Sequence, residues 1–189
     1  MSRADIPDPQ TPDARDIEDP TPDDKDWTWV LQRSCPECGF DAQALDRTRI
    51  PALVAGVIAR FEAALATDDA ARRPQPRVWS TLEYACHVRD VCAIFAERVR
   101  LMLAYDDPLF TNWDQDETAR VQRYWERDRA EVARELGSAG GQIAACFEAI
   151  GADQWARSGR RSNGSIFTVD TLGRYFSHDL VHHLHDIGG

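Results

Sequence analysis

Four stretches of this chain repeat apolar residues at three- and four-residue intervals, and that spacing confines the fold more than anything else in the sequence. The first runs from about 50 to 66, with Ile50, Leu53, Val54, Val57, Ile58, Phe61 and Leu65 on one side and Pro51 in the first turn. The second opens on Ser80 and Glu83, the S-x-x-E arrangement of a capping box. It continues through Tyr84, Val88, Val91, Cys92, Phe95, Val99 and Met102. The third spans about 129 to 150, with Val132, Leu136, Ile143, Phe147 and Ile150 inward and Gly140–Gly141 marking a kink or a close helix contact. The fourth runs from about 169 to 187 behind a Thr168 cap. The segment between the second and third is long and aromatic, helical in part; "SGRRSNGSIFT" reads as a polar loop. Nothing alternates convincingly as a strand. Four helices with one apolar stripe each predict an all-α fold, a four-helix bundle over residues 49–189.

The segment ahead of the bundle has a different character. Residues 1–26 carry nine acids against three bases, so six of the ten net negative charges fall there, with five of the ten prolines. Such a composition buries too little apolar surface to offset the entropy of ordering, and disorder is expected. Residues 27–48 read as a short ordered arm ending in a Cys-x-x-Cys knuckle, Cys35 and Cys38, with Gly39 in the turn. An acidic chain without a basic face repels a phosphate backbone, which argues against nucleic acid. No apolar run approaches a membrane span, and the start lacks a basic-then-apolar leader, so cytoplasmic localisation and no membrane partner are expected. Cys86, Cys92 and Cys146 fall inside helical patterns, as suits reduced thiols.

Histidine is scarce, yet four of the five lie within the last twelve residues: His178, His182, His183 and His185. At about 100° per residue, His182 lies about 40° and His185 about 20° from His178, whereas His183 lies about 140° away. Leu172, Phe176 and Ile187 fall on a different side. An i, i+4 histidine pair can grip one metal ion, and His87, on the core-facing edge of the second helix, is the natural third ligand. Three ligands leave an open coordination position, the arrangement of a reactive metal. His183 is expected only to pack.

From about Ile50 onward the chain resembles the DinB-like superfamily, which includes the mycothiol-dependent maleylpyruvate isomerases. The resemblance rests on "VWSTLEYACHVRDV", matching W-S-x-x-E-x-x-x-H with His87, and on "YFSHDLVHHLHDI", matching H-x-x-x-H with His178 and His182. It implies a four-helix bundle, often a homodimer, holding a divalent ion: zinc first, nickel or another transition metal otherwise. It also implies a low-molecular-weight thiol, such as mycothiol, that is bound as metal thiolate and attacks an electrophilic substrate. The arm with its Cys-x-x-Cys is outside the family pattern.

The expected function is thus a metal-dependent thiol transferase or isomerase. The alternatives are a metal-binding protein without thiol chemistry and a hydrolase using metal-activated water. Asp90 (one turn beyond His87), Asp179 or Asp186, and His185 are candidates for the groups that orient the ligands. Arg160 and Arg161, with Arg157 nearby, are candidates to bind a substrate carboxylate or sugar hydroxyls. Cys35 and Cys38 remain a second metal site or a structural knuckle ahead of a redox pair, because a closed zinc site needs two more ligands and no second Cys-x-x-Cys exists.

Overall fold

The computed structural model of the protein describes residues 18–22 and 25–189. Its helices are α1 (Ile50–Leu65), α2 (Thr81–Ala104), α3 (Gln115–Gln122), α4 (Arg129–Glu148) and α5 (Val169–Asp186). Their starts follow from local chemistry. Ser80 and Glu83 close the capping box of α2, with Ser80 N–H donating to Glu83 Oε2 at 2.9 Å. Thr168 and Thr171 do the same for α5, and Asp128 caps α4 by accepting from Glu131 N at 2.8 Å. The expected helix bounds hold to within two residues.

The bundle is built from α1, α2, α4 and α5. Helix α4 packs against both α1 and α2, and α5 also packs against both, so α1 and α2 are chiefly diagonal to one another. One continuous core joins them, including Phe61, Leu82, Met102, Leu136, Ile143, Leu172 and Phe176, all but sealed from solvent. The Gly140–Gly141 pair does not break α4. Gly140 is buried, and a Cβ there would lie 2.7 Å from Ile58 Cγ1, so the residue marks a close approach of α4 to α1. Gly141 faces open space. Gly140→Ala should therefore cost about 1–3 kcal/mol by overpacking, whereas Gly141→Ala should gain up to about 1 kcal/mol from helix propensity. Urea denaturation of the pair checks this; equal stabilities would deny the close approach.

Of the connecting segments, the one before α5 differs from expectation and the aromatic one after α2 is helical in part, as expected. The presumed loop before α5 is a hairpin of β2 (Ser158–Arg161) and β3 (Ile166–Thr168), and β1 (Leu109–Phe110) pairs with β2 in parallel. The strands are too short for alternation to show, but Asn163–Gly164 supplies the turn, Gly164 having φ +98°. Phe110 and Phe167 turn into the core beneath it. The aromatic segment after α2 holds α3 and a 3-10 turn at Tyr124–Glu126.

Most of the acidic tail lies outside the described residues. Its stretch 18–22 runs beside the loop before α2, where Arg73 Nη1 donates to Glu18 O at 2.6 Å and Thr21 N to Arg77 O at 3.1 Å. The arm forms a 3-10 turn over Trp27–Leu31, capped by Asp26, and buries Val30, Cys35 and Ala42. Arg174 on α5 ties it down by donating to the carbonyls of Ala42 and Leu45, the latter at 2.8 Å. Among the described residues, no helix is long and apolar enough to cross a membrane.

Candidate metal centre between α2 and α5

Helix α5 carries two i, i+4 pairs one residue out of step, His178 with His182 and Asp179 with His183. Because successive residues turn by about 100°, the two pairs face different neighbours. The inner pair meets α2. His87, fully buried, places Nε2 3.7 Å from Asp179 Oδ1, and His183 Nε2 lies 3.6 Å from the same oxygen. The His87 and His183 rings stand edge to face with centroids 4.6 Å apart. His183 Nδ1 is 2.9 Å from Asp186 Oδ2; donating there leaves its Nε2 lone pair toward Asp179.

The 3.6 and 3.7 Å separations from Asp179 Oδ1 are too long for hydrogen bonds. Neither ring nitrogen of His87 has a hydrogen-bond partner, and Asp179 Oδ1 is likewise sealed and unpaired. Oxygen and nitrogen ligands about 2.1 Å from a tetrahedral ion stand about 3.4 Å apart, close to the spacing found. Three ligand atoms, one each from His87, Asp179 and His183, lie within 4.8 Å of one another. The donor set thus fits a borderline divalent cation.

The electrostatics agree. Burial holds the His87 imidazole below its ordinary pKa, with Asp179 opposing, so the ring is neutral. Burial pushes the Asp179 carboxyl up, but His87 and His183 more than offset it and hold it below the ordinary value. A neutral imidazole beside a carboxylate is the protonation state a cation requires.

Trp113 stacks on His87 with centroids 5.3 Å apart, and Trp79 covers it at the same distance. Asp179 and His183 instead line an open, mostly polar pocket of about 620 Å³, whose walls include Trp27, Asp114, Arg161 and Tyr175. His87 therefore sits behind the pocket, and the carboxylate and His183 at its floor.

The ligand set expected from sequence is not assembled as one group. His87 lies with Asp179 and His183, while His178 and His182 turn to the arm, where they meet Cys35 and Cys38. The apolar stripe of α5 held the signal. His183, about 140° from His178, falls between Leu172 and Phe176 on the helix wheel, so it is the histidine of α5 that meets His87, while the arm covers His178 and His182. Asp179 at i−4 completes the pair. Asp90 does not orient His87. It accepts from Arg89 Nε at 2.7 Å and from Tyr124 Oη at 2.5 Å. His185 is exposed beyond the cluster.

Of the arginines, Arg161 alone reaches the pocket, lying over the Phe167 and Tyr175 rings. Arg160 pairs with Asp107 at 2.9 Å on the surface. Arg157 is a structural pin, its Nε donating to Met102 O at 2.6 Å and its Nη2 to Tyr105 O at 2.8 Å. The cysteines inside α2 are chemically quiet, since burial pushes the Cys86 and Cys92 thiols up to about 12.

A helical bundle whose last helix presents a histidine–carboxylate pair to a buried histidine of an earlier one holds a candidate metal centre. Residues 47–187 match the family model of the DinB superfamily, and the chain belongs to that superfamily. Among solved structures, YfiT from Bacillus subtilis is similar, with a TM-score of 0.67 and 20% identity over 75% of this chain and 83% of that one. It is described as a probable metal-dependent hydrolase with an unusual four-helix bundle topology. No curated protein matches significantly.

Proposed function

We propose that this protein is a metal-dependent enzyme acting on small polar molecules, with a small cellular thiol of the mycothiol type as co-substrate and transfer or isomerisation as the reaction. The observation that carries metal dependence is His87, fully buried with both ring nitrogens unsatisfied and aimed at Asp179 and His183. His87, Asp179 and His183 would hold a divalent ion, which would supply Lewis acidity favouring the deprotonated form of a thiol or water.

The chain's own residues supply the rest. Asp186 fixes the tautomer of His183 through the 2.9 Å contact. Trp79 and Trp113 keep water from His87. Arg161 at the pocket wall offers a guanidinium to a carboxylate, and Asp26 and Asp114 offer acceptors to hydroxyls or an amine. A pocket of about 620 Å³ exceeds what a water nucleophile needs and suits a polar co-substrate together with a small electrophile. The description of YfiT supports a second reading, hydrolysis, with water in the thiol's place.

The test is turnover by the zinc-loaded protein of a chromogenic aryl halide with and without mycothiol, alongside chromogenic esters and amides without thiol. Conversion that needs both thiol and metal is expected. Metal-dependent hydrolysis without thiol would favour the second reading, and turnover unaffected by metal would overturn both.

A further inference from the structure

The arm and α5 bring together four side chains that the reaction just proposed does not use. We propose that Cys35, Cys38, His178 and His182 form a second, closed metal site that takes one zinc ion and clips the arm to the bundle. One ligand atom from each of the four lies within 4.8 Å of the others. Cys35 Sγ is 3.7 Å from His182 Nδ1. A thiolate about 2.3 Å and an imidazole nitrogen about 2.1 Å from a tetrahedral zinc stand about 3.6 Å apart, which this contact meets before any ion is added.

The local structure is that of a knuckle. Gly39 N–H donates to Cys35 O at 2.9 Å, Cys35 N–H donates to Phe40 O at 2.9 Å, and Gly39 makes the turn at φ +73°. The turn aims both sulfurs at one point. His178 Nε2 is buried without a hydrogen-bond partner, which a polar atom in that position does not tolerate unless something binds it. His182 Nε2, the nitrogen not facing sulfur, lies 3.5 Å from Glu37 Oε2, the carboxylate partner that metal-bound imidazoles usually have.

Charge and burial fit the same ion. Cys35, His178 and His182 are 1%, 3% and 7% exposed. Two thiolates neutralise a divalent cation, so the loaded site carries no net charge into that environment, and the two thiol protons leave to solvent on binding. Two sulfurs with two imidazoles in a tetrahedron select zinc over harder cations. With four protein ligands the site has no open position, so its role is structural, unlike that of the His87 centre.

Its effect reaches the pocket through the arm. The Trp27 ring lies 4.8 Å from that of His182 and 5.4 Å from that of His178, and Lys25, Asp26 and Trp27 form one wall of the pocket. His178 and His182 themselves line that pocket, so the ion fixes one of its walls.

The full chain, produced without a histidine tag, should carry two equivalents of zinc. Exchanged for cobalt, it should show a thiolate-to-cobalt charge-transfer band. The band should persist in His87→Ala, which loses only the other equivalent, and vanish in a Cys35→Ser/Cys38→Ser variant. In that variant trypsin should cut the arm at Arg33 faster, by roughly tenfold or more for a segment released to local unfolding. Should the double variant fail to fold, the parent protein still decides: Cys35 and Cys38 should resist a thiol reagent until a chelator is added. Absence of the cobalt–thiolate band, or thiols that react equally with and without chelator, would overturn the site. Recovery of the two sulfurs as a disulfide in freshly purified protein would overturn it too. None of these outcomes bears on whether the His87 centre is catalytic.

Discussion

Alanine in place of His87, Asp179 or His183 should each remove one equivalent of metal and lower turnover by roughly 100-fold or more, while helical content stays within error of the parent. The scale follows because even the outer partners of metal ligands are worth about 10–100-fold. His87 is fully buried with two unpaired nitrogens, and Asp179 Oδ1 lies 3.6–3.7 Å from both histidines, so no member of the three can be replaced by its neighbours. His178→Ala and His182→Ala should leave this equivalent in place, because their rings are turned to the arm. Elemental analysis with circular dichroism reads all five variants. Full metal in His183→Ala together with its loss from the bundle in His178→Ala would reinstate the ligand set expected from sequence.

A large effect on stability is expected at the other end of the same motif. Glu83 is 1% exposed, and Arg73 meets its carboxylate with a two-pronged contact, Nε lying 3.1 and 2.9 Å from its oxygens. The same carboxylate accepts from Ser80 N and Oγ at the start of α2. Arg73→Met leaves that charge buried with only the cap for company and should cost about 3–5 kcal/mol in urea denaturation. Adding Glu83→Gln to the Arg73 variant removes the charge, keeps an acceptor for the cap, and should recover a good part of the loss. An Arg73→Met variant within about 0.5 kcal/mol of the parent would class the contact with ordinary surface pairs.

The four helices were legible because each carries its own stripe and start signal; Ser80–Glu83 alone placed the entry to α2 to the residue. The hairpin before α5 was not legible. A four-residue strand offers at most two inward positions, and one of these is Gly159, whose neighbours Met102 and Phe110 are distant in sequence. His87 was readable as core-facing, since it lies within the stripe of α2. The grouping on the last helix was not legible, because three histidines on one face suggest a shared ligand more loudly than an aspartate–histidine pair on the next. The two histidines that lie against Cys35 and Cys38 are well over a hundred positions away on α5, and no local pattern links them.

The staggered pairs on α5 also bear on how that helix finds its place. An amphipathic helix can often slide or roll against its neighbours by one position with modest loss of apolar contact. Here a roll of one residue, about 100°, would carry the Asp179–His183 pair away from His87 and the His178–His182 pair away from the arm cysteines. Both sides would lose their partners together. Helix α5 thus behaves like a key cut on two edges: the seated orientation alone satisfies α2 and the arm at once, and partial seatings have little to hold them.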